Sequence, residues 1–361
     1  MKNFRKSLLI AAAAFAPLFL SAQKAEEMKF VSADQLHIVG SGFDVSHVKY
    51  GRIPESLKGE MRPELIRLGA NSSGIAVRFS TNSKAIAARW KVTQNVSLNH
   101  MPATGVKGLD LYAFDGKSWK YAGTARPSGV ENFSVFIKNM NGEKREYIAY
   151  FPLYDGVELV EIGVMPEAEI GIPQSSLLTK RAEKKPVVIY GTSITQGGCA
   201  SRPGMAYPAI LGRMMDRETI NLGFSGNGRM DFPMAKAINL IDAHAVVLDC
   251  LPNTNAQIVR DSAYNFIKLV AEKNPARKVY MVENVIFPPL FLDLKTKAEL
   301  EEENIEWRKV YAQLRKNGIK NVIFIPGKDL LGEDGETTVD GVHFTDLGFQ
   351  RFAKSLFRYV K

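Results

Sequence analysis

The apolar run Val187-Val188-Ile189-Tyr190 leads directly into Gly191-Thr192-Ser193-Ile194-Thr195, so a predicted strand delivers a serine at its carboxyl end. In open parallel sheets that end carries the ligand-binding residues, and a serine there is placed for nucleophilic attack. The same residues equally suit a helix start, because Ser and Thr cap free backbone amides. A nucleophilic serine needs a base, and five histidines compete for that role, namely His37, His47, His100, His244 and His343. The first three fall in a β-rich region. His244, in DAHAVVLD, precedes a strand and belongs at the amino edge of the sheet, away from Ser193. His343 follows Asp340 by three residues in DGVHFTDLGFQRFA, just before the last predicted helix, so a carboxylate can orient the imidazole from one short loop. A surface loop or half of a metal site would show the same pair. Metal is disfavoured because no second His or Cys cluster is evident to complete a coordination shell.

Acyl transfer from an ester also needs donors for the oxyanion that forms when serine attacks a carbonyl. Ile220-Asn221-Leu222-Gly223-Phe224-Ser225-Gly226-Asn227 leaves a short predicted strand and turns glycine-rich, which lets backbone amides face a ligand; Gly226 is the favoured donor. Val246-Val247-Leu248-Asp249-Cys250 runs on into Leu251-Pro252-Asn253, placing the Asn253 amide at another strand end. As isolated turn residues, both have an ordinary structural explanation.

These groups must be held by a domain that begins near Pro186. From there, apolar strand candidates (VVIY, VVLDC, VYMVEN, VIFIPG) alternate with amphipathic helix candidates at 207–215, 258–273, 298–316 and 344–359. Wholly apolar short strands separated by helices imply a parallel sheet covered on both faces. Upstream, residues 23–173 read differently. GIAVRFST, AIAARWKV, LDLYAF, REYIAYF and VELVEIGV alternate with period two between turns such as Asp115-Gly116 and Asn141-Gly142, as antiparallel strands of a sandwich do. The polar stretch 174–185 separates the two regions as a linker. Residues 1–22 carry Lys2, Arg5 and Lys6, then LLIAAAAFAPLFL, then Ser21-Ala22, the pattern of a cleavable signal peptide. The expectation is therefore a secreted or periplasmic protein without a stable membrane anchor.

Ser, Gly, Asn and His stand in this order on successive strand ends, which resembles the four sequence blocks of the SGNH (GDSL-like) hydrolases over about residues 186–361. GTS stands where the name-motif has Gly-Asp-Ser, and LPN where many members have Gly-Asn-Asp; Asp340-Gly-Val-His343 fits fully. The resemblance implies a flavodoxin-like α/β domain. It further implies Ser193 as nucleophile, His343 as base, Asp340 as its partner, and the Ser193 amide, Gly226 and Asn253 as the oxyanion hole. Gly108-Leu109-Asp110-Leu111-Tyr112 also resembles the GxDLY motif of a β-sandwich module found beside such domains; its plain reading is a strand ahead of a hairpin.

The expected function is a secreted serine esterase, without cofactor, that removes acetyl or other short acyl groups from carbohydrates through an acyl-enzyme. A lipid or aryl-ester acylhydrolase, or an inactive carbohydrate-binding protein, are the alternatives. The formal net charge of +9 falls to +6 without the three charges of the first segment, and no basic stripe marks a nucleic-acid partner. Cys199 and Cys250, the only cysteines, rule out a disulfide framework. In the sheet order of this family they follow neighbouring strands, which puts one bridge within reach; two buried free thiols are the alternative.

Overall fold

The structure, a computed structural model, describes residues 28–43, 49–173 and 184–361. The expected signal peptide and most of the expected linker lie outside them.

The first region folds as two antiparallel sheets. Its strands are β1 (Lys29–Ser32), β2 (His37–Val39), β3 (Ala76–Thr81), β4 (Ile86–Val92) and β5 (Leu109–Phe114). They continue with β6 (Trp119–Ala125), β7 (Glu131–Ile137), β8 (Arg145–Tyr150), β9 (Val157–Val164) and β10 (Ile170–Gly171). One sheet has the order β1-β9-β4-β7; the other is β10-β3-β8-β5-β6, with β2 paired to β3. Their facing sides enclose Phe79, Trp90, Leu111 and Phe151, all buried. Strands β6 and β7 are missing from the period-two reading because both are mostly half-buried and carry mixed polar residues.

The second region is a parallel sheet of β11 (Val187–Gly191), β12 (Thr219–Gly223), β13 (Ala245–Asp249), β14 (Lys278–Val282) and β15 (Val322–Ile325). Its order, β12-β11-β13-β14-β15, is the flavodoxin-like one, and the strand order reverses at β11. All residues of β11, β12 and β13 are buried; β11 and β13 accordingly read as apolar runs, whereas β12 carries the buried polar residues Thr219 and Asn221. Trp307 and Phe266 lie in the core on one face, and Phe344, Phe349 and Phe352 in that on the other.

The two regions do not behave as beads on a string. Helix α1 (Pro63–Gly69), which belongs to the first region, sends Leu65 and Leu68 into the same core cluster as Tyr190 and Phe224 of the second. Arg52 is buried at the seam, donating to the carbonyls of Leu68 at 2.8 Å, Asn71 at 2.7 Å and Gly223 at 2.6 Å while its guanidinium lies over Phe224. Burial pulls the Arg52 pKa down to about 9, so these carbonyls, with that of Asn221 at 3.3 Å, and the ring face are needed to hold a cation there.

Candidate active site

Ser193 is the first residue of helix α2 (Ser193–Gln196), directly beyond β11. The cap of this helix is Thr192, not the serine. Its Oγ1 accepts from the Ile194 amide at 3.2 Å, and the Thr195 hydroxyl reaches back to the Thr192 amide at 3.3 Å. The choice between a capping and a reactive serine is thus divided between two neighbours. Thr192, which stands where the name-motif has Asp, takes the capping duty and leaves the Ser193 Oγ free.

That hydroxyl lies 2.9 Å from His343 Nε2, and His343 Nδ1 lies 2.7 Å from Asp340 Oδ2. Nδ1–H donating to the carboxylate leaves the Nε2 lone pair facing the serine, the orientation a general base requires. The loop is built to hold this. Asp340 Oδ1 accepts from the backbone amides of Val342 at 3.1 Å and His343 at 2.8 Å, and the Val339 amide donates to the His343 carbonyl at 2.8 Å. Just beyond, helix α3 (Tyr207–Met215) packs against helix α4 (Asp346–Val360), whose Thr345 cap accepts from the Gly348 amide; Phe344, Phe349 and Phe352 anchor the segment in the core. Partial burial pushes the Asp340 carboxyl up, but hydrogen bonds from the His343 ring and the two amides outweigh it, and its pKa is lowered.

Sequence names the Ser193 amide, Gly226 and Asn253 as candidate donors for an oxyanion, and each has donor capacity left over. The Ser193 amide opens a helix and has no intrahelical acceptor. The Gly226 amide makes no hydrogen bond among the described residues, and Gly226 takes φ +68°, a left-handed conformation that favours glycine. Asn253 ends a short 3₁₀ turn after β13, where its Oδ1 accepts from the Gly228 amide at 3.2 Å and its Nδ2 donates to the Pro252 carbonyl at 3.1 Å. The carboxamide is thereby fixed in orientation, with one N–H left to give.

Residues 184–361 match the family described as GDSL-like Lipase/Acylhydrolase, and residues 28–170 match GxDLY, the N-terminus of Esterase_SGNH_hydro-type. A candidate GDSL-like lipase from Bacteroides ovatus ATCC 8483, solved by crystallography, is 36% identical, with a TM-score of 0.86 over 92% of this chain and 99% of that one. The chain belongs to the GDSL-like lipase/acylhydrolase family.

It is a carboxylic ester hydrolase of this family with the GxDLY-type module at its N-terminal side. More distant structures share the fold. The salicylyl-acyltransferase SsfX3 of a tetracycline biosynthetic pathway is 19% identical, with a TM-score of 0.73 over 92% of this chain and 96% of that one. A family two carbohydrate esterase from Clostridium thermocellum, in complex with cellohexaose, is 15% identical, with a TM-score of 0.55 over 80% and 92%. No curated protein matches the sequence.

In this GDSL-like hydrolase the GxDLY motif has a visible structural role. Asp110 is fully buried and accepts from Arg202 at 2.6 Å and from the Gly204 amide at 2.9 Å, while Tyr112 receives a hydrogen bond from Arg202. The motif therefore clamps the loop that follows α2. A Cβ at Gly108 would come within 2.6 Å of the Thr104 carbonyl oxygen and 2.9 Å of that of Ala125, so the first motif position has no room for a side chain. The Tyr154 hydroxyl donates to the Ser193 carbonyl at 3.3 Å, and the Gln196 side chain donates to the Leu153 carbonyl at 3.0 Å.

His244 sits at the amino edge of β13, as its sequence context implies, with its amide on the Pro186 carbonyl. Three groups near α2 and the His343 loop escape sequence reading. His100, assigned by sequence to the β-rich region and set aside, lies with its ring centroid 5.4 Å from that of His343. Cys199 holds φ +70°, an uncommon conformation for a residue with a Cβ, and burial together with the Asp340 charge pushes its thiol up to about 12. With Asp340 and His343 these form a group whose ligand-type atoms all lie within 4.8 Å of one another. The sequence shows no second His or Cys cluster that could complete a coordination shell, but a loop from the other domain and the turn after α2 bring His100 and Cys199 beside the Asp340-His343 pair. Cys199 and Cys250 are both free and buried, Cys250 in the core beside Tyr190 on one sheet face and Cys199 at the rim of the site, so no bridge joins them. The third, Asp249, ends β13 and meets α2 through Thr195, accepting from it at 3.2 Å and from Tyr207 at 2.8 Å; burial raises its pKa to about 7.

Proposed function

We propose that this chain is an exported serine esterase that removes acetyl or other short acyl groups from carbohydrates through an acyl-enzyme on Ser193. The observation that carries this reading is the continuous path Ser193 Oγ to His343 Nε2, and His343 Nδ1 to Asp340, at the switch point of the sheet. In the proposed reaction His343 Nε2 takes the serine proton as Oγ adds to the ester carbonyl. The Ser193 and Gly226 amides and the Asn253 side chain then receive the oxyanion. Collapse expels the sugar hydroxyl, which recovers the proton from His343, and leaves Ser193 acylated. Water then adds to the acyl carbonyl as its proton passes to the same nitrogen, and collapse breaks the bond to Ser193 Oγ, which takes the proton back from His343 as the carboxylic acid leaves. The chain's own residues suffice for each proton transfer.

A carbohydrate leaving group is supported by the position of the first domain, whose His100 and Tyr154 border the serine and widen the site into a two-domain rim. The fold likeness to the cellohexaose-bound esterase is in keeping with it. Export is supported by the first 22 residues of the sequence. One observation favours a second reading, an apolar acyl or aryl ester. Val339 and Val342 on the His343 loop are exposed, as are Ile286, Phe291 and Leu292, and Gly341 of that loop stands close against Pro289 of the same apolar segment. Rates on acetylated oligosaccharides and on nitrophenyl esters of increasing chain length decide between them. Highest kcat/KM on the acetylated sugars supports the first reading, and rates that climb with acyl length overturn it in favour of the second.

A further inference from the structure

We propose that His100, Cys199 and His343, with Asp340 beside them, form a binding site for a thiophilic divalent ion such as Zn²⁺, whose occupancy switches the esterase site off reversibly. Tetrahedral zinc with its usual bond lengths holds its ligand atoms roughly 3.3–3.7 Å apart. The four side chains here already offer ligand-type atoms within 4.8 Å of one another, close to that spacing. Imidazole nitrogen with a thiolate is the donor set that selects zinc over magnesium or calcium.

Two local details suit metal capture. The Asn99 Oδ1 lies 3.1 Å from His100 Nδ1; a proton donated there leaves the Nε2 lone pair of His100 outward, and ligating histidines are ordinarily oriented through their other nitrogen in this manner. Cys199 is a non-glycine residue in the left-handed region, directly after Gly197 and Gly198, and that backbone holds a thiol beside Asp340 where no disulfide partner exists. Coordination releases the thiol proton to solvent, with no change of oxidation state. The site draws one ligand from the first domain and the others from the second, so the ion would tie the two together across the substrate opening.

Inhibition follows from the double use of His343. Ligation through Nε2 removes the base from Ser193, and ligation through Nδ1 removes Asp340 from the ring; either way the proton path is cut.

Binding is tested first on the full-length Ser193→Ala chain, where no turnover is needed. Zn²⁺ is titrated against a chromophoric chelator, and Co²⁺ is added to look for the thiolate-to-cobalt charge-transfer absorption. One equivalent of metal and a thiolate band are expected. Cys199→Ser should abolish the band, and it and His100→Ala should each weaken Zn²⁺ binding by at least about tenfold. In the chain with Ser193 intact, Zn²⁺ should inhibit and a chelator restore activity, with the inhibition constant shifting likewise in both variants, each referred to its own metal-free rate. His100 lies on a surface turn, so its variant carries the test should Cys199→Ser fail to fold. Absence of the thiolate band, or unchanged affinity in the folded variants, overturns the proposal; so does inhibition that persists unaltered in them. The inhibition arm rests on the esterase reading, whereas the binding arm stands without it, so failure of one is distinguishable from failure of the other.

Discussion

Two aspartates in this molecule each hold a basic side chain, and they do so in opposite surroundings. Asp110, at the seam between the domains, is fully buried against Arg202; its carboxyl is pushed up by burial, against the pull of Arg202 and Arg213. Asp340, on the strand-end loop, is more than a third exposed against His343, and its pKa is lowered. A buried pair costs desolvation and gains little net stability, yet removing one partner strands the other, so it serves to fix a geometry. A partly exposed pair can gain and lose a proton at small reorganisation cost, which is what a base that turns over must do.

The sharpest way to break this division is at the serine. Ser193→Ala should lower kcat on the order of 10⁴-fold or more while leaving the thermal unfolding midpoint nearly unchanged, because the residue touches His343 and not the core. Near-normal esterase activity in that variant would remove the basis of the proposed mechanism.

Asp110→Ala makes the opposite demand. It takes the carboxylate from Arg202, which keeps only the Tyr112 hydroxyl, and the acceptor from the Gly204 amide, and should destabilise the fold by about 3–5 kcal/mol in urea unfolding, with activity falling as the loop after α2 loses its clamp. A variant of unchanged stability would show that the GxDLY aspartate is not the anchor.

Asn253→Ala should lower kcat by roughly 10²-fold with little change in KM if the carboxamide acts on the oxyanion; a change confined to KM would assign it to substrate binding.

The smallest effect concerns pH. Asp249 is protonated more readily in the folded chain than in the unfolded one, since burial raises its pKa from 3.8 to about 7. Between these values the native state holds the extra proton, so the Asp249 contribution to stability is greatest below about pH 4 and is lost as pH rises through 7. Asp249→Asn should flatten that part of the curve of unfolding free energy against pH, and an unaltered slope would show that the group does not control it.

Much of the site was legible because its residues sit at the ends of elements that announce themselves. A wholly buried strand reads as an apolar run, so β11 points to Ser193 and β13 to Asn253; the Asp340-His343 pair needs only a three-residue spacing and a helix start. The antiparallel sandwich was legible through β3, β4, β5, β8 and β9, whose faces alternate, and less so through β6 and β7, where mixed polar residues dilute the pattern. The sequence could not say whether Ser193 or its neighbour caps the helix, because both residue types do so.

By itself, then, the sequence marks most of the strands and helices, the change from an antiparallel to a parallel region, and the strand-end Ser193 and the Asp340-His343 pair as candidates, since these show in local periodicity and short motifs. Tertiary structure alone decides that Arg52 and α1 join the core of the second domain, that Asp110 clamps Arg202, and that His100 and Cys199 meet beside His343. Those contacts join residues about a hundred or more positions apart, and no local pattern encodes a distance that only packing between two domains can create.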